Sequence, residues 1–203
     1  MCYNYEVSIT TFIIGTLATL YNISVFGANP VYLSISIFWM GAIIMQLWEA
    51  LLWKDYNCVL FSKLAKYTNL LQPLLGLWLL LIPNYISKNK INVSMVYVVI
   101  IIYFLTVLPL FLKNYNCIKN KDGIGLKWWT YTTAVAYVVT ILILMKILLP
   151  DKLFEYQAIF FIGGLIFANL ITKKKSPGRV GSIWCWIAAA APFYNYYLFM
   201  NNF

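Results

Sequence analysis

Long apolar runs alternate with short polar connections from one end of this chain to the other. An α-helix needs about 20 predominantly apolar residues to cross the hydrocarbon core of a bilayer. Runs of that length cover residues 8–26, 31–53, 67–86, 93–112, 128–149, 154–172 and 180–200. The pattern predicts an all-α, polytopic fold with seven transmembrane helices. The connections leave no room for a second domain, so residues 1–203 form one integral membrane domain. Pro73, Pro109 and Pro192 fall inside the third, fourth and seventh runs, where neighbouring helices can re-satisfy the backbone groups that proline frees. Trp53, Tyr67, Trp128, Trp129 and Tyr156 sit at run ends, as an interfacial aromatic belt requires.

Composition points the same way. Of the 203 residues, 63% are hydrophobic and 10% charged, with a mean hydropathy of +0.77. Soluble domains are about 45–50% apolar and about 25% charged. An excess of this size cannot be hidden in one water-facing core, so the lipid bilayer is the expected partner. The first run is too long for the apolar part of a cleavable leader, and no small-residue cleavage site follows it.

The net charge of +9 does not change this picture. The basic residues lie in short loops, not on a domain that could present a groove, so no nucleic-acid partner is expected. Their distribution sets orientation instead. The connections after the second, fourth and sixth runs carry Lys54, Lys63, Lys66, then Lys113, Lys119, Lys121, Lys127, then Lys173, Lys174, Lys175 and Arg179. The other connections hold only Lys88, Lys90 and Lys152. The positive-inside rule then places the N-terminus inside. Histidine is absent, which removes the commonest metal ligand and proton shuttle.

A weak internal repeat runs through the chain. At an offset of 122, Thr10-Thr11 matches Thr132-Thr133, and Ile37-Phe38 with Gly41 and Ile44 matches Ile159-Phe160 with Gly163 and Ile166. After a shortening of three residues, Pro73 aligns with Pro192. The expected organisation is 3+1+3, with the fourth run as a linker, an arrangement of parallel repeats known in transporters.

Candidate chemistry concentrates around Glu49, the acidic residue inside the second run, with Gln46 one turn away. An ionisable group within a membrane helix is costly and marks a functional site by default. With the N-terminus inside, Asn69, Gln72, Thr132, Thr133, Asn169, Ser182 and Cys185 share its depth, and Gln72-Pro73 frees a backbone carbonyl. This layer could line a vestibule open to the inner side. It could equally be polar packing, with Glu49 paired to Lys54 or Lys66 and the amides joining helices. Trp184 and Trp186 in the seventh run face different sides and offer either packing or one aromatic wall. Tyr194-Asn-Tyr-Tyr197 reads as interfacial anchoring. Cys58 and Cys117 lie in Tyr-Asn-Cys triplets on the predicted inner side, where a reducing cytosol argues against a disulfide. An oxidising lumen would permit one, and palmitoylation is the other option. No metal site or cofactor is expected. Lys146 can snorkel from the end of the fifth run, and the seventh run lacks the lysine that a retinal chromophore needs.

Met45-Gln-Leu-Trp-Glu49 with Trp53, Asn69-Leu-Leu-Gln-Pro73, and Trp184-Cys-Trp with Pro192 give a pattern that resembles small multi-pass membrane proteins of large DNA viruses. That group has no assigned activity, so the resemblance implies a host or viral membrane and no functional residues. The leading expectation is a channel- or transporter-like protein with an inner polar vestibule for a cation, proton or small solute. A non-catalytic scaffold or assembly protein, homo-oligomeric through its small-residue faces, is the alternative. A lipid-modifying enzyme is the third reading, and it is poorly served by a single carboxylate.

Overall fold

A computed structural model describes residues 4–26, 29–113, 119, 120, 123, 124, 131–172 and 180–202, with the side chains of 119, 120, 123, 124, 131, 169, 171, 172 and 180–186 outside the description. The described residues form eight α-helices: α1 (Tyr5–Phe26), α2 (Pro30–Trp53), α3 (Cys58–Leu71), α4 (Tyr85–Lys88), α5 (Val93–Leu112), α6 (Tyr131–Leu148), α7 (Asp151–Thr172) and α8 (Val180–Met200). A 3-10 segment, Gln72–Leu81, follows α3 directly, and a two-residue antiparallel pair joins Lys119–Asn120 to Gly123–Ile124. Asparagine starts several helices. Asn4, Asn29, Asn57 and Asn92 each accept a backbone N–H from the first turn of α1, α2, α3 and α5, groups a helix cannot pair internally. In α2 the cap is followed by Pro30, whose fixed φ suits the first helical position.

Helix α2 is the centre of the bundle and packs against α1, α3, the 3-10 segment and α8. Close approach needs small residues. A Cβ on Gly15 of α1 would lie 3.1 Å from Ile43, and one on Gly41 would lie 2.2 Å from Leu75 Cδ1. Side-chain contacts mark the two ends of the bundle. At one, Lys54 Nζ lies 4.5 Å over the Tyr5 ring, and Lys66 reaches the last carbonyls of α5. At the other, the rings of Phe26, Tyr32 and Phe199 meet, Tyr85 donates to the Leu148 carbonyl at 2.7 Å, and Lys146 pairs with Asp151 at 2.6 Å.

Apolar side chains cover much of the outside of the bundle, and several polar ones are buried within it. Leu17 and Leu20 of α1, Ile101 and Leu105 of α5, and Ile159, Ile166 and Leu170 of α7 are all exposed. Gln46, Glu49, Gln72, Gln157 and Asn195 are buried. Exposed apolar surface on this scale marks contact with lipid or partners. Helices α1, α2 and α5 are long and apolar enough to cross a membrane, and Thr132–Leu148 of α6 is a shorter apolar helix.

The third expected run differs most from the structure. The helix begins at Cys58, nine residues before the apolar run, and changes to 3-10 geometry at Gln72. Runs of 3-10 helix longer than three or four residues are uncommon; this one has 10. The change coincides with Pro73, which cannot supply the N–H that a continuing α-helix would send to Asn69. The Gln72 N–H bonds the Asn69 carbonyl instead. Pro192, its partner in the proposed repeat, lies inside the unbroken α8.

Candidate functional site

Glu49 and Gln46 lie on the inward face of α2, each 0% exposed. A carboxylate so placed must be paired or hydrogen-bonded to be tolerated, and both side chains are engaged. Alongside, Trp48 Nε1 donates to Thr68 Oγ1 at 3.0 Å and its ring stacks on Phe61, which fixes α3 against this stretch of α2. Asn69 and Gln72 are also buried. The Tyr137 hydroxyl of α6 donates to Gln72 Oε1, and the Gln72 Cγ lies 3.8 Å from where a Gly41 Cβ would be. The helix break is thus clasped between α2 and α6.

The carbonyls around the break are occupied. Tyr103 of α5, 1% exposed, donates its hydroxyl to the Leu70 carbonyl at 2.8 Å. In 3-10 register that carbonyl would look to residue 73, and proline has no N–H to give. The carbonyl that proline leaves without a helical donor is thus met by α5, the helix read as a linker. Lys66 is likewise drawn to α5. Its Nζ donates to the carbonyls of Leu110, Phe111 and Lys113 at 3.1, 3.2 and 3.0 Å, which a helix C-terminus leaves unpaired and which favour a cation. Lys66 thereby ties α3 to α5.

The remaining candidates are placed differently. Thr132 is exposed and its neighbour Thr133 is the buried hydroxyl, a consequence of the roughly 100° turn per helical residue. Asn169, Trp184, Cys185 and Trp186 belong to α7 and α8, and their side chains lie outside the described residues, as does Cys117. Cys58 is disulfide-bonded, the option that an oxidising lumen permits, and its Sγ is 3.8 Å from Ser62 Oγ. Among the described residues no three His, Cys, Asp or Glu side chains gather as a metal site would require.

A second polar network lies toward the opposite end of the bundle. Trp39 Nε1 of α2 donates to Gln157 Oε1 of α7 at 3.3 Å, and Gln157 Nε2 donates to Asn195 Oδ1 of α8 at 2.8 Å. All three residues are 0% exposed. Asn22 of α1 adds a bond to the Pro192 carbonyl at 2.6 Å. Rings enclose the network: Phe160 stacks on Tyr194 at 4.7 Å and meets Trp39 edge-on at 5.5 Å. Asn195 is therefore a core residue, not an interfacial anchor. A cavity between α2, the 3-10 segment and α6 is lined by Ser34, Phe38, Pro73, Gly76, Leu79 and Met145 among others, and is almost wholly apolar.

The fold and its buried polar layers define a helical bundle compatible with a membrane protein. No protein family, curated protein or solved structure was found to match this chain.

Proposed function

We propose that the chain is a seven-span membrane protein of the channel or transporter type, with the layer of Glu49, Gln46, Asn69 and Gln72 as its site for a cation, proton or small solute. One observation carries this reading: a 3-10 segment of 10 residues packs on α2, the helix that also holds a fully buried carboxylate. Broken helices next to buried polar groups recur where transporters bind their substrates, and a stretch of 3-10 helix inside a longer helix often serves as a hinge. The site is enclosed here, as an occluded state would be. Helices α1, α2 and α5 are long and apolar enough to supply three of the spans, and α3 with its 3-10 continuation, α6, α7 and α8 would supply the other four. Matched residue pairs in the first three and last three spans support the 3+1+3 organisation. The lysine distribution supports an N-terminus inside, whereas the Cys58 disulfide favours an oxidising compartment at that end of the bundle. The pattern Met45-Gln-Leu-Trp-Glu49 supports kinship with the multi-pass proteins of large DNA viruses, and hence a host or viral membrane.

The test is flux in proteoliposomes. Wild-type protein is expected to dissipate an imposed proton or cation gradient, and Glu49→Gln is expected to slow it at least tenfold. Equal rates in both proteins would refute the assignment of Glu49.

A scaffold reading has one observation in its favour. Gly163 sits on the exposed apolar face of α7, and a Cβ there would meet nothing within 4 Å. That face has room for a helix of a second copy. Gly163→Leu would then abolish cross-linked dimers in membranes while leaving the monomer folded; unchanged cross-linking would count against it.

A further inference from the structure

We propose that the network of Trp39, Gln157 and Asn195 is a water-binding station, and that the pathway carries protons through water, not metal cations; the second half rests on the transport reading above. One group sets the direction of the hydrogen bonds. An indole nitrogen can only donate, so Trp39 fixes Gln157 Oε1 as an acceptor at 3.3 Å. The Gln157 amide nitrogen then donates to Asn195 Oδ1 at 2.8 Å, and Asn195 must present its NH2 group to the core. That nitrogen is fully buried and has no partner among the described residues. Native folds leave very few buried polar groups unpaired, and a buried water is the common means of satisfying them.

The chemistry selects among ligands. An amide NH2 attracts an oxygen lone pair and repels a bare metal ion, which is itself held by oxygen ligands. In the other layer, Asn69 Oδ1 is also buried without a partner among the described residues and calls for a donor. Water accepts at Asn195 and donates at Asn69; a sodium or potassium ion cannot bind at Asn195. Trp39 and Glu49 are ten residues apart on α2, about 15 Å at the helical rise. Ala42, Ile43 and Met45 are buried in the interval. A proton passed between waters consumes none: each water that accepts one on one side releases one on the other.

Two readouts separate the halves of the proposal. In lipid nanodiscs, NMR of asparagine side chains should show magnetisation transfer from a bound water to the Asn195 NH2. Absence of that transfer in a folded sample overturns the station. In proteoliposomes, a proton indicator and a sodium or potassium indicator are read together. Proton flux without metal flux is expected, at least tenfold slower in Asn195→Leu and largely retained in Asn195→Ser, which leaves room for water. Metal flux equal to proton flux overturns the proton assignment and leaves the transport reading standing. Flux of neither overturns the transport reading, and the NMR result then stands alone for the station. Gel filtration of both variants establishes that a loss of flux is not a loss of fold.

Discussion

Replacing Tyr103 with phenylalanine removes one oxygen from a ring that is 1% exposed, and that oxygen holds the Leu70 carbonyl at 2.8 Å. Two magnitudes compete. Hydrogen bonds between membrane helices are worth about 0.6 kcal/mol on average, because separated helices find other partners. A buried acceptor left with no partner costs about 1–3 kcal/mol. The second governs here, since Pro73 offers no N–H and the gap left by one buried hydroxyl is too small to admit a water. The expected loss is about 1.5 kcal/mol, roughly a tenfold fall in the ratio of folded to unfolded protein. Equilibrium unfolding in mixed micelles measures it. Tyr97→Phe, on an exposed ring of the same helix, is the control and should change stability by less than about 0.5 kcal/mol. Equal losses in the two variants would refute the claim that Tyr103 compensates for the proline.

Further outcomes follow from single contacts. Gly41→Val should destabilise the bundle by about 1–3 kcal/mol through overpacking, and Leu75→Ala should recover part of that loss, because Leu75 Cδ1 occupies the space a Cβ at residue 41 needs; a double-mutant cycle of purified proteins measures the coupling. Lys66→Met should cost about 2–3 kcal/mol, the scale of hydrogen bonds to a charged group, as the carbonyls at the end of α5 lose their donor; unchanged unfolding would show that water replaces the ammonium there. On a non-reducing gel Cys58→Ser should shift mobility relative to wild type, and the shift should vanish under reductant; identical bands would exclude the disulfide.

Much of the helical framework was legible because bilayer crossing imposes a length. The runs read as 31–53, 93–112 and 180–200 agree with α2, α5 and α8 to within one residue. Asparagine caps sharpen the starts of α2 and α5. The third helix escaped because Cys58-Val-Leu-Phe-Ser-Lys-Leu-Ala-Lys66 alternates lysines with apolar residues and does not register as an apolar run. Of the candidate site, Glu49, Gln46, Asn69 and Gln72 were nameable from hydropathy alone, as polar residues inside apolar stretches. Their enclosure was not, since it depends on how closely Gly41 lets the 3-10 segment approach. The choice between Thr132 and Thr133 turned on helix rotation, which an all-round apolar helix leaves undetermined. Gln157 and Asn195 were visible as lone amides in separate runs. Only packing brings Gln157 to Trp39 across 118 residues of chain and to Asn195 across 38.

The claim that the broken third helix is the working part can be tested by locking it. Gly41→Cys with Leu75→Cys, in a Cys58→Ser background, places two thiols where α2 and the 3-10 segment touch. Flux through reconstituted protein is then measured before oxidation, after it, and after reduction. The account predicts that oxidation stops flux and reduction restores it, while each single-cysteine variant is indifferent. Unaltered flux through fully cross-linked protein would contradict it.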